Sequence, residues 1–224
     1  MNYSAIITDI EGTTSRIRFV TEVLFPYAAK QLPDFIRQHQ AEPAVASELQ
    51  AVRELMPQAN ADTESCIEQL LQWIAEDKKV TPLKSLQGMV WRDGYQSGAF
   101  SGHLYPDVPV QLQQWQEKGI KLYVYSSGSV AAQQLLFKHS DAGDLTPLFS
   151  GYFDTRIGHK QQASSYAAIL QQLQLPPRQV LFLSDVTAEL DAAASLGIDT
   201  VQLIREQQSA GSHPIATDFY QIKV

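Results

Sequence analysis

Three short apolar segments, each ending at a polar residue, constrain the fold of this 224-residue chain more than any other feature. They are Tyr3–Thr8 before Asp9, Ile120–Tyr125 before Ser126, and Gln179–Ser184 before Asp185. Segments with a helical spacing of apolar residues lie at about 108–118, 130–139, 164–173 and 187–196, and one more strand is predicted near 200–204. Buried strands that alternate with helices predict a parallel sheet with helices on both faces.

A different pattern occupies the stretch between the first strand and residue 100. Apolar residues recur there at helical spacing, as in Ile67, Leu70, Leu71 and Ile74, and helix-breaking prolines separate the runs. Because almost no alternating strand pattern occurs there, the stretch is predicted to be a helical insert. We therefore expect an α/β core formed by residues 1–15 and 100–224 and a helical cap domain at residues 16–99.

The polar residues at the strand ends are expected to form one site. The carboxyl ends of parallel strands meet at one edge of an open α/β sheet, and that edge is where such sheets bind ligands. Asp9, Ser126 and Asp185 should therefore converge although they are far apart in sequence.

Two acidic pairs lie at predicted strand ends. Asp9 and Glu11 can both project into one cleft while Ile10 turns toward the core, and Asp185 precedes Glu189 by about one helical turn. Carboxylates held close together repel unless a cation relieves them, and a divalent ion with oxygen ligands is the usual solution. Each pair also has a simpler interpretation, with Glu11 in solvent at a polar strand end and Asp185 as the N-cap of the next helix.

Candidate anion-binding groups complete the pattern. Ser126-Ser-Gly-Ser129 ends a strand and opens a helix, where hydroxyls and exposed N–H groups can bind phosphate. The same sequence is also compatible with a serine-capped turn. Lys160, just before a helical segment, could neutralise a phosphoryl group, although a lone lysine is more often a surface charge.

Composition argues against several classes of function. A net charge of -7 is opposite to that of a general nucleic-acid binder, and no apolar stretch approaches the roughly 18 residues of a membrane span. No secretory signal is predicted, and the single cysteine, Cys66, favours a reducing, cytoplasmic location. The chain has no P-loop, no G-x-G-x-x-G and no G-x-S-x-G motif, and its five histidines lack metal-ligand spacing.

The ordered combination of these motifs resembles the haloacid dehalogenase superfamily of phosphohydrolases, whose members share a doubly wound sheet. A strand-end D-x-E-G-T, a strand-end serine, a lysine and a strand-end D-x-x-x-E occur here in that order. Glu11 stands where most phosphatases of the superfamily have Asp, and the start DIEGTT is similar to the enolase-phosphatases of methionine salvage. Four further blocks are similar to them, WRDGYQSGAFSGHLYPDV (91–108), LYVYSSGSVAAQQLLF (122–137), GYFDTRIGHK (151–160) and LFLSDVTAELDAA (181–193).

This resemblance implies an enzyme that converts 2,3-diketo-5-methylthiopentyl-1-phosphate to the acireductone 1,2-dihydroxy-3-keto-5-methylthiopentene and phosphate. It implies one Mg²⁺ per chain, a small-molecule substrate, a monomeric state and a helical insert that acts as a lid. The roles it implies are catalysis by Asp9, Glu11 and Lys160, substrate binding by Ser126, Ser127 and Lys160, magnesium binding by Asp9, Glu11 and Asp185, and a weaker supporting role for Glu189.

Three other functions are compatible with parts of this pattern. One is a general phosphatase of the same superfamily that acts on a sugar phosphate or phosphoglycolate, although Glu11 argues against it. Another is a 2-haloacid dehalogenase, which needs no metal and would not use the second acidic pair. The third is a non-catalytic phosphate-binding interaction protein, which would have no use for the full set of chemical residues.

Overall fold

The computed structural model describes residues 3–57 and 61–224, which form a parallel sheet with flanking helices and a separate helical unit. Among these residues, no helix combines the length and the apolarity needed to cross a membrane. The strands and helices, in chain order, are β1 (Ala5–Thr8), α1 (Phe25–His39), α2 (Pro43–Leu55), α3 (Thr63–Ala75), α4 (Thr81–Gln96), α5 (Asp107–Glu117), β2 (Lys121–Tyr125), α6 (Val130–Lys138), β3 (Phe149–Phe153), α7 (Ala163–Leu173), β4 (Val180–Ser184), α8 (Thr187–Ala194), β5 (Asp199–Leu203) and β6 (Ile215–Ala216).

The six strands form one sheet in the order β3-β2-β1-β4-β5-β6, and every neighbouring pair is parallel. β1 lies in the middle, with Thr8 opposite Val124 of β2 on one side and Leu183 of β4 on the other. The strands β2 and β3 lie on one side of β1, and β4, β5 and β6 lie on the other side. An open α/β sheet has a crevice at its carboxyl edge where the strand order reverses in this way, here between β1 and β4. The predicted α/β fold with a parallel sheet is confirmed.

The sheet is buried on both faces because successive strand residues point to opposite sides. Ala5 and Ile7 of β1 pack in one apolar cluster with residues of α7 and α8, such as Tyr166 and Leu190. Ile6 packs in a second cluster with α5 and the C-terminal segment. This burial on both sides explains why the central strands are short, continuous apolar runs in the sequence.

The described residues divide into two compact units. One contains the chain up to Ile17 together with Ser101–Val224, and the other is Arg18–Phe100; the sequence predicted the insert at 16–99. The helical unit has a core of its own, contributed by all four of its helices and including Leu32, Leu49 and Leu70. A π-helical segment, Val20–Leu24, leads directly into α1.

Two strands were not predicted. β3 is a half-exposed edge strand, so its sequence FSGYF lacks the continuous apolar run of the central strands. β6 has two residues and lies in the polar tail after Gln207. The tail is therefore partly ordered by pairing of Ile215 and Ala216 with β5.

Candidate active site

Asp9 lies at the carboxyl end of the central strand and is almost completely buried, with 5% of its surface exposed. Its backbone N–H donates to the carbonyl of Leu183 at 2.9 Å, so that the residue is fixed beside the end of β4. Ser126 and Asp185 follow β2 and β4, the two strands that flank β1. The structure therefore brings the three predicted strand-end residues to one edge of the sheet.

The chain makes a tight turn directly after Asp9. The N–H groups of residues 13 to 15 all donate to the carbonyl of Ile10, at 2.9–3.2 Å. Gly12 adopts a φ of 73°, a conformation that a residue with a Cβ rarely adopts. Within this turn Glu11 is exposed to solvent, whereas its neighbours 12–15 are buried.

Lys160 is a buried cation in contact with two carboxylates. Its Nζ donates to Asp9 Oδ1 and lies 2.6 Å from Glu189 Oε2, with 7% of the side chain exposed. Burial alone would lower the pKa of Lys160, but the charges of Asp9 and Glu189 outweigh that effect and raise it. The alternative interpretation of Lys160 as a surface charge is therefore wrong, and the ammonium group stays charged beside Asp9.

Glu189 holds Lys160 in place from the first turn of α8. Its Oε2 contacts the ammonium group and also accepts a hydrogen bond from Ser184 Oγ at 2.9 Å. On the other side of Lys160, the hydroxyl of Tyr166 donates to the lysine backbone carbonyl at 2.7 Å. These contacts are those expected of a residue that supports Lys160.

Asp185 is mostly buried, and its environment disfavours the charged form. Burial, together with the negative charge of Asp9, raises the pKa of Asp185 to about 7, while a 3.3 Å hydrogen bond from Gln208 Nε2 works in the opposite direction. The alternative role of Asp185 as a helix cap is wrong, because α8 begins at Thr187 with Val186 as its N-cap residue. The Asp185 carboxyl therefore does not cap α8 and can take part in the site.

The turn after Asp9 approaches Asp185 very closely. A Cβ atom placed on Gly12 would lie 2.2 Å from Asp185 Oδ2, far inside van der Waals contact. Only glycine leaves room for this carboxyl group in its present position. The turn and Asp185 are therefore in direct contact.

The serine loop joins β2 to α6. The N–H of Ser126 donates to Phe153 O at 3.2 Å, and Gln133 Nε2 donates to both Phe153 O and Gly128 O at 2.8 Å. Ser129 caps α6 by accepting from the N–H of Ala132, so the serine-capped turn is present. Ser126 is buried, whereas Ser127, the other predicted substrate-binding residue, is partly exposed.

The donor set fits a magnesium ion held by two carboxylates. Within 3–57 and 61–224, no three His, Cys, Asp or Glu side chains form a group that could hold a metal. Of the three predicted ligands, Asp9 and Asp185 are buried and Glu11 is exposed, so magnesium binding by Glu11 stays a prediction. Magnesium is commonly bound by one or two carboxylates, with water and phosphate as its other ligands, and a cation between Asp9 and Asp185 would relieve the repulsion that contributes to the raised pKa of Asp185.

Apart from Glu189, the sequence interpretation did not find the residues that support the site. Gln208 reaches Asp185, and Gln202 Nε2 donates to the Asp185 backbone carbonyl at 3.2 Å. Asp154 accepts from the N–H of Val130 at the start of α6. A polar residue within a predicted strand was the available signal for Gln202, whereas Asp154 follows β3, which was not predicted.

Comparisons with known proteins identify the family. The family model for haloacid dehalogenase-like hydrolases matches residues 3–197. The enolase-phosphatase E1 of Pseudomonas aeruginosa strain UCBPP-PA14 is 56% identical over 224 residues, all of both chains. That of Hahella chejuensis is 59% identical over 201 residues, 90% of this chain and 86% of the relative.

A solved structure extends the similarity to three dimensions. The UTR4 protein of Saccharomyces cerevisiae superimposes with a TM-score of 0.85 at 34% identity, covering 99% of this chain and 100% of the yeast chain. Both the sequence and the fold are thus shared over essentially the whole length. The chain belongs to the haloacid dehalogenase-like hydrolases and, within them, to the enolase-phosphatase E1 family.

Proposed function

We propose that this enolase-phosphatase converts 2,3-diketo-5-methylthiopentyl-1-phosphate to the acireductone 1,2-dihydroxy-3-keto-5-methylthiopentene and phosphate in methionine salvage. The observation that carries the proposal is a buried Asp9 at the switch point of the sheet, in contact with the buried ammonium group of Lys160. Relatives named enolase-phosphatase E1, which match 90–100% of this chain, support an enolase-phosphatase, and the substrate is the one that the resemblance implies.

The phosphatase step begins with attack by Asp9. A carboxylate oxygen of Asp9 forms a bond to phosphorus while the bond from phosphorus to the substrate oxygen breaks, which gives an aspartyl-phosphate. Lys160, charged and already beside Asp9, stabilises the negative charge on the phosphoryl oxygens. Ser126 and Ser127 bind the phosphate or the substrate carbonyls at the start of α6.

Proton transfer is assigned to Glu11. Protonated, it donates to the leaving oxygen; as a carboxylate, it then takes a proton from the water that hydrolyses the aspartyl-phosphate. Its exposed position in the turn after Asp9 is compatible with both steps, since it leaves the carboxyl accessible to solvent. In the enolisation that precedes these steps, a base takes a proton from the carbon that bears the phosphate ester, and the neighbouring carbonyl oxygen becomes the enol oxygen.

Asp9 and Asp185 would hold the magnesium ion. When bound, magnesium supplies Lewis-acid polarisation of a substrate oxygen and relieves the repulsion between the carboxylates. Gln208, which donates to Asp185 Oδ2, would keep that carboxyl oriented. Glu11 would move protons, and the resemblance also implies it as a third ligand of the ion.

We also propose that the enzyme is a cytoplasmic monomer that acts on a small molecule. Cys66, the only cysteine, is buried, which suits a chain kept in a reducing compartment. The net charge of -7 disfavours association with nucleic acids.

The test is an assay of phosphate release by the purified protein from the diketone phosphate and from simple phosphate esters, with and without Mg²⁺. An ultraviolet trace follows formation of the enol. We expect magnesium-dependent release that strongly favours the diketone, together with an enol signal. Equal turnover of simple esters without an enol signal would leave a general phosphatase as the function.

The Asp9→Asn variant tests the nucleophile in the same assay. Because the amide cannot form an aspartyl-phosphate, release should fall by at least about 10⁴-fold, as for other essential covalent groups. Retained phosphate release by a folded Asp9→Asn protein would show that another group attacks phosphorus.

A further inference from the structure

A buried ion pair lies beyond the carboxyl end of β5, outside the four motifs. Arg205 contacts Asp107 through two hydrogen bonds, Nη1 to Oδ1 at 2.9 Å and Nη2 to Oδ2 at 2.8 Å. The side chains are 3% and 9% exposed, respectively. The guanidinium also lies against the rings of Tyr105, at 4.5 Å, and Phe219, at 5.1 Å.

The same guanidinium reaches the turn that follows Asp9 and contains Glu11. Arg205 Nε donates to the carbonyl of Thr13 at 3.0 Å. The next carbonyl of the turn, that of Thr14, accepts from the backbone N–H of Tyr105 at 3.0 Å. Two consecutive carbonyls of the turn are thus held from outside it, one of them by a rigid charged side chain.

Asp107 fixes the orientation of Arg205. One of its oxygens, Oδ2, also accepts from the backbone N–H of Phe219 at 2.7 Å, so its carboxylate is tied to the C-terminal segment. Arg205 Nη1 donates in addition to Thr217 O at 3.2 Å. Four hydrogen bonds therefore fix the plane of the guanidinium, and this in turn fixes the direction from which Nε reaches Thr13.

We propose that Arg205, oriented by Asp107, is a positioning residue that sets the turn of residues 10–15 for phosphoryl transfer. A buried ion pair is weak evidence for stability, because desolvation offsets much of its attraction, whereas a small displacement of reacting groups strongly slows catalysis. The turn follows Asp9, contains Glu11 and contacts Asp185 through Gly12, so its movement would disturb all three. The inference rests on the proposed phosphatase chemistry of Asp9.

The experiment compares Arg205→Met, Arg205→Lys and the double variant Arg205→Met/Asp107→Asn with the wild-type enzyme. The double variant removes both charges, while the Asn oxygen can still accept from the N–H of Phe219. Arg37→Met is the matched control, because Arg37 makes a similar two-bond contact with Glu64 between helices α1 and α3. The readouts are kcat and KM for phosphate release, thermal unfolding, and hydrogen exchange at the amides of residues 13–15.

For Arg205→Met we expect kcat to fall by about 10²-fold with KM changed by less than about threefold. Exchange at amides 13–15 should become faster by about tenfold or more, since their bonds to Ile10 O depend on the turn. Arg205→Lys should be intermediate, because one ammonium group cannot reproduce the planar two-bond contact and also reach Thr13. The double variant should recover thermal stability but not kcat, and Arg37→Met should match the wild type.

A purely structural role would give a different result. Folded Arg205 variants with lower thermal stability but wild-type kcat and wild-type exchange at amides 13–15 would overturn the inference. If Arg205→Met does not fold, the double variant and Arg205→Lys decide by the same criteria. Failure of the proposed function is separate, because it would appear as no phosphate release by the wild type, while exchange still reports whether Arg205 holds the turn.

Discussion

At the scale of single residues, Lys160 has the largest electrostatic role, since it is the buried cation in contact with both Asp9 and Glu189. In Lys160→Met these carboxylates lose their partner, and the phosphoryl group loses a charged donor. We expect kcat to fall by about 10²- to 10³-fold and the free energy of unfolding to fall by about 3 kcal/mol. Phosphate release and urea denaturation measure the two effects.

Lys118→Met is the matched control for Lys160, because Lys118 is exposed after the end of α5. It should leave both kcat and the free energy of unfolding close to those of the wild type. A folded Lys160→Met enzyme with wild-type turnover would contradict the role given to the ammonium group.

Gly12 provides a second prediction at this scale, because its missing Cβ makes room for Asp185. In Gly12→Ala the new methyl group would displace the Asp185 carboxyl, 2.2 Å away, and the positive φ would add strain. We expect a loss of about 1 kcal/mol in the free energy of unfolding. The Mg²⁺ concentration that gives half-maximal activity should rise by about tenfold or more, because changes to the groups that orient a metal ligand typically weaken metal binding by that factor.

Gly119→Ala separates strain from displacement of the carboxyl. Gly119 has a φ of 82°, but a Cβ added there would meet no atom of the described residues within 4 Å, its own chain neighbours aside. This variant should lose similar stability and keep the wild-type response to Mg²⁺. An equal change in the Mg²⁺ response of both variants would show that backbone strain alone is responsible.

The candidate site was predictable wherever a residue directly follows a strand. Asp9, Ser126 and Asp185 could be placed at one edge because the apolar runs before them predict parallel strands. The burial of Lys160 could not be predicted, because it depends on carboxylates that come from two distant segments. Arg205 lies after β5 in a polar context, and only the folded chain brings it to the turn near Asp9.

At the scale of elements, the strands that were predicted are more deeply buried than those that were not, with at least three buried positions in each of β1, β2, β4 and β5 and only one in β3 and in β6. β4 is buried at all five positions, and its first four residues form an uninterrupted apolar run in the sequence. β3 is buried only at Phe153 and contains Gly151, so neither an apolar run nor an alternating pattern marks it. Pro33 lies inside α1, where a proline would have been expected to end the helix.

The prediction for elements concerns Gln133, whose side chain links the ends of β2 and β3 to the start of α6. Gln133 is buried and donates to Gly128 O and Phe153 O, the latter also the acceptor for the N–H of Ser126. Gln133→Ala removes both bonds, so we expect the free energy of unfolding to fall by about 2 kcal/mol. KM for the substrate should rise by about threefold to tenfold because the serine loop is less well fixed.

Gln134→Ala is the control, since Gln134 is the neighbouring residue on α6 and is exposed. Denaturation and steady-state kinetics should not distinguish it from the wild type. If Gln133→Ala loses stability while KM stays unchanged, the glutamine supports the fold but not the substrate-binding loop.

At the scale of the whole molecule, each of the two units has its own hydrophobic core. The core of the helical unit includes Trp73, with Trp91 packed against it, and Trp115 lies in one of the two clusters on the sheet. Trp115→Phe therefore leaves tryptophans in the helical unit alone, and Trp73→Phe/Trp91→Phe leaves Trp115 as the reporter of the α/β unit. The first change is expected to be tolerated, because the buried indole N–H of Trp115 has no hydrogen-bond partner among residues 3–57 and 61–224.

Ligand binding should stabilise the two units unequally, because Asp9 and Asp185 both belong to the α/β unit. At about 100 times the dissociation constant, Mg²⁺ with inorganic phosphate adds about 2.7 kcal/mol to the unit that binds it. Fluorescence melting should then show the Trp115 transition rising by about 5–10 °C and the Trp73 and Trp91 transition rising by less than half as much. Equal shifts would show that the units unfold as one cooperative structure, and a shift that persists in Asp185→Asn would place the ligand elsewhere.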